Sequence, residues 1–161
     1  MKPLEFAIKM ELDGEQYYLK QAKINEGNSL KTIFLNLARD ERKHANILEN
    51  KAKELDYELK DSKTLEEYKN VFEDLDDFQV EIKEIPSQLD AYRMALEKEK
   101  ESIELYEKML EDAVNEKEEM LFKFLIKEEK EHYRLLNDLV LLVSRPEEWV
   151  ESAEFGLRED Y

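Results

Sequence analysis

Apolar positions recur at three- and four-residue intervals in four stretches of this chain, and each stretch predicts an amphipathic helix. The first runs from about Pro3 to Asn25, with Leu4, Ala7, Ile8, Tyr18 and Ala22 on one stripe. Pro3 suits a first helical turn, where a missing N–H costs no intrahelical bond, and Asn25-Glu26-Gly27-Asn28-Ser29 reads as stop and turn. The second covers about Leu30 to Leu55, with Ile33, Phe34, Leu37 and Leu48 on its stripe and Ser29 as N-cap. The third follows Pro86-Ser87 and carries Leu89, Tyr92, Leu96, Ile103, Tyr106 and Leu110. The fourth spans about Lys117 to Val143, with Leu121, Phe122, Leu125, Leu135, Leu136 and Leu139.

Short turns join the first helix to the second and the third to the fourth, so each pair predicts an antiparallel hairpin. Between the hairpins lies a longer acidic connection, about residues 56–85, in which Leu65, Tyr68, Phe72 and Leu75 predict a short amphipathic helix. A connection of that length lets the second hairpin start from the opposite end of a bundle. The expected fold is all-α: a four-helix bundle of two hairpins joined by a long crossover, over residues 1–143. Residues 144–161 form a tail, beginning near Arg145-Pro146, whose Trp149 and Phe155 are expected to pack on the bundle.

The two hairpins repeat one another at a constant offset, from Glu11 to Glu99, with no gap across either helix. At that offset Ala7 matches Ala95, Tyr18 matches Tyr106, Phe34 matches Phe122 and Leu37 matches Leu125. Glu41 falls on Glu129, His44 on His132 and Leu48 on Leu136. Such a period is too long for a solenoid, and it fits two copies of one hairpin facing each other about a pseudo-two-fold axis.

The stripes contain residues that do not belong in an oily core. Glu41 and His44 stand between Leu37 and Leu48, and Glu129 and His132 between Leu125 and Leu136. Glu11 and Glu99 interrupt the first and third stripes in the same way. A buried, unpaired carboxylate costs several kcal/mol or more, and four at one level of a bundle repel each other. Two divalent cations offset their four charges. Residues three apart on a helix point the same way, so the Glu-x-x-His pairs Glu41/His44 and Glu129/His132 can each serve one ion or two adjacent ions. Two such pairs, with one Glu from each remaining helix, make the ligand set of di-iron and di-manganese carboxylate bundles. Oxygen and nitrogen donors suit two Fe ions; Mn would also fit, and Zn would bind without redox chemistry.

The same register places Tyr18 and Tyr106 two turns beyond Glu11 and Glu99 on the same faces. They could hydrogen-bond a ligand carboxylate or a bound oxygen species, or be amphipathic core residues. Asp40 and Glu128 directly precede the ligand pairs. They could accept an N–H from the His of the opposite helix, or be ordinary solvated acids.

Composition narrows the classes. Charged residues are 41% of the chain, with three Gly and three Pro, as in a helical protein. No stretch is apolar enough to span a bilayer, and the start lacks a secretory pattern, so cytoplasmic is the default setting. Cys is absent, which excludes disulfides, iron–sulfur clusters and a thiol nucleophile within these residues. The formal charge of −16 argues against a nucleic-acid partner, which would need a basic face.

The stretches Ala7-Ile8-Lys9-Met10-Glu11 with Tyr17-Tyr18, and Leu37 through His44, together with their counterparts Ala95 through Tyr106 and Lys127 through His132, resemble the rubrerythrin branch of the ferritin-like superfamily. The resemblance covers all four core helices. It implies a ferritin-like bundle in which Glu41 and Glu129 bridge two metals, Glu11 and Glu99 are terminal ligands, and His44 and His132 complete the two sets. It further implies reduction of hydrogen peroxide or dioxygen in oxidative-stress protection, a homodimer, and a separate electron-donor protein such as a rubredoxin, since no rubredoxin domain is present. Rubrerythrin-type peroxidases usually carry a further Glu one turn after the third-helix ligand; this chain has Ser102 there, opposite Gly14 in the repeat. The symmetric six-ligand set that remains is also similar to a bacterioferritin ferroxidase centre, so iron handling by storage or delivery stands as the alternative function. A purely structural bundle, its metal site decayed or filled by zinc, is the third.

Overall fold

The computed structural model describes residues 2–72 and 88–155, with side chains described for 2–71 and 88–144. Among them are five helices: α1 (Pro3–Ile24), α2 (Leu30–Ala52), α3 (Thr64–Phe72), α4 (Leu89–Glu111) and α5 (Glu116–Phe155).

Local chemistry sets the boundaries. Pro3 opens α1, and Gly27, with φ +100°, turns the chain towards α2. Ser29 holds the N-cap position, but the capping oxygen comes from its neighbour: Asn28 Oδ1 accepts the Leu30 N–H at 2.9 Å. In the crossover, Ser62 Oγ accepts the Thr64 N–H at 3.0 Å where α3 begins. The crossover helix expected around Leu65 and Tyr68 is α3; Leu75 lies outside the described residues. The last helix does not stop near Val143. Its backbone continues through Pro146 to Phe155, and the expected packing of Trp149 and Phe155 concerns side chains outside the described set.

Helices α1 and α2 pack as one hairpin and α4 and α5 as the other, while α3 lies against α2 and α5. Contacts between the hairpins give their relative direction. Tyr18 meets Glu99 while Glu11 meets Tyr106, so α1 and α4 run antiparallel. His44 meets Glu128 while Asp40 meets His132, so α2 and α5 do too. It follows that α2 and α4 run the same way, and the crossover must travel the length of the bundle. This is the ferritin-like arrangement.

Two apolar clusters fill the bundle. Tyr18, Leu30, Phe34, Leu37, Tyr92, Ala95 and Leu135 belong to one. Ala7, Leu48, Tyr106, Leu121, Phe122 and Leu125 belong to the other. On every bundle helix the chain passes from one cluster to the other across a buried Glu or His. Each fully buried aliphatic or aromatic side chain contributes about 1.5–3 kcal/mol, which offsets the cost of the polar layer between them.

Candidate metal centre

The structure brings Glu11, Glu41, His44, Glu99, Glu129 and His132 into that one layer, each at most 4% exposed. They form two groups in which one donor atom per residue lies within 4.8 Å of the others: Glu11, Glu41, His44 and Glu129, and Glu41, Glu99, Glu129 and His132. Glu41 and Glu129 belong to both groups.

The surrounding hydrogen bonds obey the internal repeat. Tyr106 donates its hydroxyl to Oε1 of Glu11 at 2.6 Å, and Tyr18 donates to Oε1 of Glu99. Burial raises both tyrosines well above the ordinary phenol range, and the nearby carboxylates add to it, so both stay protonated donors. His44 Nε2 lies 3.2 Å from Glu128 Oε1, and His132 Nε2 lies 2.9 Å from Asp40 Oδ2. Each imidazole thus has its Nε2–H directed at a carboxylate on the opposite helix, which leaves Nδ1 facing the layer. His44 Nδ1 is 2.9 Å from Glu129 Oε1, and His132 Nδ1 is 3.0 Å from Glu41 Oε1.

His132 Nδ1 and Glu41 Oε1 are aligned as a hydrogen bond, but five other donor atoms of the layer have no such partner. Oε2 of Glu11, Oε2 of Glu99, both oxygens of Glu129 and Nδ1 of His44 are buried with no hydrogen-bond partner. The short separation between His44 Nδ1 and Glu129 Oε1 is therefore proximity without hydrogen-bond alignment. Each tyrosine takes one oxygen of its carboxylate and leaves the other oxygen bare.

The electrostatics carry the same message. Burial raises the carboxyl of Glu41 well above the usual range, and the charges of Glu11, Glu129 and Glu99 push it further. Glu129 rises for the same reasons, burial first and then Glu11 and Glu99. Burial would also raise Glu11, but His44 and hydrogen bonds outweigh it and hold the group low. Glu99, likewise opposed by burial, is held at about 2 by Glu129, His132 and Tyr18. Burial disfavours charge on His44 and His132, yet Glu11 and Glu99 respectively overcome it and raise both rings well above the ordinary histidine range. Without cations, protons on shared carboxylates and imidazoles must do the neutralising. A carboxylate and imidazole donor set with bare inward-facing atoms suits two ions of the iron, manganese or zinc kind.

A family profile described as rubrerythrin matches residues 2–140. The chain belongs to the rubrerythrin family. Neither the comparison with curated proteins nor that with solved structures finds a match. Membership makes this a di-iron carboxylate type of protein, and the matched span contains every residue of the buried layer. Among the described residues no helix is long and apolar enough to cross a membrane.

Two crossover residues that the sequence pattern does not mark also serve the layer. Ser62 Oγ and Thr64 Oγ1 donate to Asp40 Oδ2 at 2.7 and 2.6 Å, and the Ser62 N–H donates to Glu128 Oε2 at 3.1 Å. Asp40 is held at about 2: burial raises it, but His132, Thr64 and Ser62 lower it by more. One loop residue therefore steadies both carboxylates that orient the histidines. The crossover exists once, so the repeat held no signal for it.

The layer also has a way in. A cleft of about 180 Å³ between α1 and α4 is lined by Met10, Gly14, Tyr18, Glu41, Glu99 and Ser102, among others. A methyl group at Gly14 would sit 3.2 Å from Glu41 Oε2, so glycine keeps this wall open beside a shared carboxylate. Ser102, its counterpart, turns its hydroxyl to Lys98 O at 3.0 Å.

Proposed function

We propose that this chain is a non-haem di-iron oxidoreductase that reduces hydrogen peroxide, or dioxygen, and protects a cell from oxidative damage. The observation that carries the reading is the pair of buried four-residue groups sharing Glu41 and Glu129. In this reading Glu41 and Glu129 would be held in common by two Fe ions. Glu11 and His44 would complete one set of donors, Glu99 and His132 the other. The chemistry a bound iron pair supplies is two one-electron steps, enough to take peroxide and two protons to two waters.

The protein's own groups have defined tasks. Tyr18 and Tyr106 fix the terminal carboxylates by their Oε1 atoms and keep Oε2 directed inward. Asp40 and Glu128 hold the imidazole tautomer that presents Nδ1. The cleft at Gly14 admits a small oxidant beside Glu41, while the apolar clusters exclude bulk water from the rest of the layer. On family resemblance, electrons come from a redox protein such as a rubredoxin; these residues hold no Cys for an iron–thiolate centre of their own. A homodimer, on family resemblance, and a cytoplasmic setting, as the default, complete the reading.

Ferroxidation with storage or delivery is the second reading. It is favoured by Ser102 at the position where a rubrerythrin-type peroxidase usually carries a fifth carboxylate. Anaerobic loading with ferrous iron, followed by peroxide and dioxygen in separate stopped-flow runs, separates the two. Faster reaction with peroxide supports the peroxidase. Faster oxidation by dioxygen with iron retained as mineral, in a many-subunit shell by size-exclusion chromatography, overturns it.

A further inference from the structure

The chain carries 41 acidic against 25 basic residues, so a continuous row of cations on its surface stands out. Lys123, Lys127, Lys130 and Arg134 are all exposed on α5, at spacings of four, three and four residues that place them on one stripe. They line a shallow groove with Ile126 and, from α3, Leu65. A single half-buried acid, Glu131, shares its wall.

This stripe lies on the outer side of the helix that supplies Glu129 and His132. Lys130 follows Glu129 directly in the chain, and the width of one helix, about 10 Å, separates the outer face from the core face. A second connection runs through the crossover. Lys127 Nζ pairs with Asp61 at 3.0 Å, and the adjacent Ser62 N–H reaches Glu128, which meets His44 Nε2 at 3.2 Å. Ser62 Oγ reaches Asp40, which meets His132 Nε2 at 2.9 Å. The groove is thus joined by short polar contacts to both histidines of the buried layer.

We propose that this basic groove between α3 and α5 is the docking site for a small acidic one-electron carrier protein, which delivers electrons to the buried centre. The inference rests on the oxidoreductase reading above and names the surface that serves it. Charge selects the occupant. The stripe extends about 17 Å along the helix, a footprint suited to one small domain. An extended polyanion would run past its ends onto the rest of a chain whose net charge is −16, which a small acidic domain does not reach. The apolar floor from Leu65 and Ile126 gives a contact at the centre of a charged rim. Each encounter takes one electron from the reduced carrier and passes it inward, so two encounters match one peroxide.

The test measures binding apart from turnover. The probe is a rubredoxin with zinc in place of iron, titrated by NMR into the full chain at low and high salt. Binding that weakens with salt, with shifts centred on residues 123–134, is expected. The triple variant Lys123→Glu/Lys130→Glu/Arg134→Glu should weaken it at least about tenfold. Lys20→Glu/Lys23→Glu/Lys108→Glu, exposed positions on α1 and α4 with the same change in net charge, should weaken it far less. If the first triple loses its helical circular dichroism, Lys130→Gln and Arg134→Gln replace it and should each weaken binding. Absent binding, equal losses in the two triples, or shifts on another face overturn the proposal. So does a wild-type dimer that the α5 variants dissociate, which would assign the groove to a second copy. Because the zinc probe transfers no electrons, a failure of docking is distinguishable from a failure of the peroxide chemistry.

Discussion

Tyr106 on α4 donates its hydroxyl to Oε1 of Glu11 on α1 at 2.6 Å, and the repeat-related Tyr18 does the same for Glu99 from the other hairpin. Each hairpin therefore holds a buried carboxylate of its mate. Tyr106→Phe removes a hydrogen bond to a charged group, worth about 1.5–3 kcal/mol, and leaves Glu11 with no fixed orientation. Weaker binding of one ion of the two, by about tenfold or more, is expected in stepwise metal titrations. Tyr18→Phe should affect the other ion. Equal weakening of both ions by either variant would contradict the assignment.

Replacing Glu41 and Glu129 together with Leu removes the two carboxylates common to both groups. Both are raised well above the usual range, first by burial and then by like charges, so they burden the metal-free fold. Metal content should fall to background while the metal-free protein gains about 1–4 kcal/mol of stability. Metal analysis and chemical denaturation read the two effects independently.

Metal affinity should fall as pH is lowered. Ions need Glu41 and Glu129 as carboxylates and the imidazoles with a bare Nδ1. All four groups have raised proton affinity in the metal-free protein, so protons persist there to higher pH than on free side chains. Metal entry displaces them, and each displaced proton changes apparent affinity about tenfold per pH unit. Zinc titrations across neutral pH, in buffers of different ionisation enthalpy, count the protons released. No release would contradict the burial argument.

Ser62→Ala with Thr64→Val strips both hydroxyl donors from Asp40 but keeps the Ser62 N–H on Glu128. The ion beside His132 should bind about 10–100-fold more weakly, while the ion beside His44 is spared. Thr64→Ser should restore much of the loss. Cobalt titration followed by visible absorbance can resolve the two sites.

What could be read from the chain follows from what its two halves share. Stripe interruptions at Glu11, Glu41, Glu99 and Glu129 place carboxylates in the core because core faces are written in the helical period. The crosswise contacts of Asp40 with His132 and Glu128 with His44 follow from the same register once two hairpins face each other. Ser62 and Thr64 were hidden because a hydroxyl in a crossover has no periodicity and no repeat partner. The extension of α5 beyond Val143 was hidden by Pro146, which usually marks an end because it lacks an N–H and crowds the preceding turn. The oxygen that caps α2 belongs to Asn28 rather than to the expected Ser29, a distinction made by backbone geometry rather than residue type.

The sharing of Glu41 and Glu129 has a consequence for the chain as a whole. In each four-residue group three donors come from one half of the molecule and the fourth comes from the other half. Neither half completes a group by itself, so ions bound there would act as rivets. A chain cut within the crossover should yield two fragments whose reunion depends on metal, and a lone ancestral hairpin would have needed a twin before it could hold any.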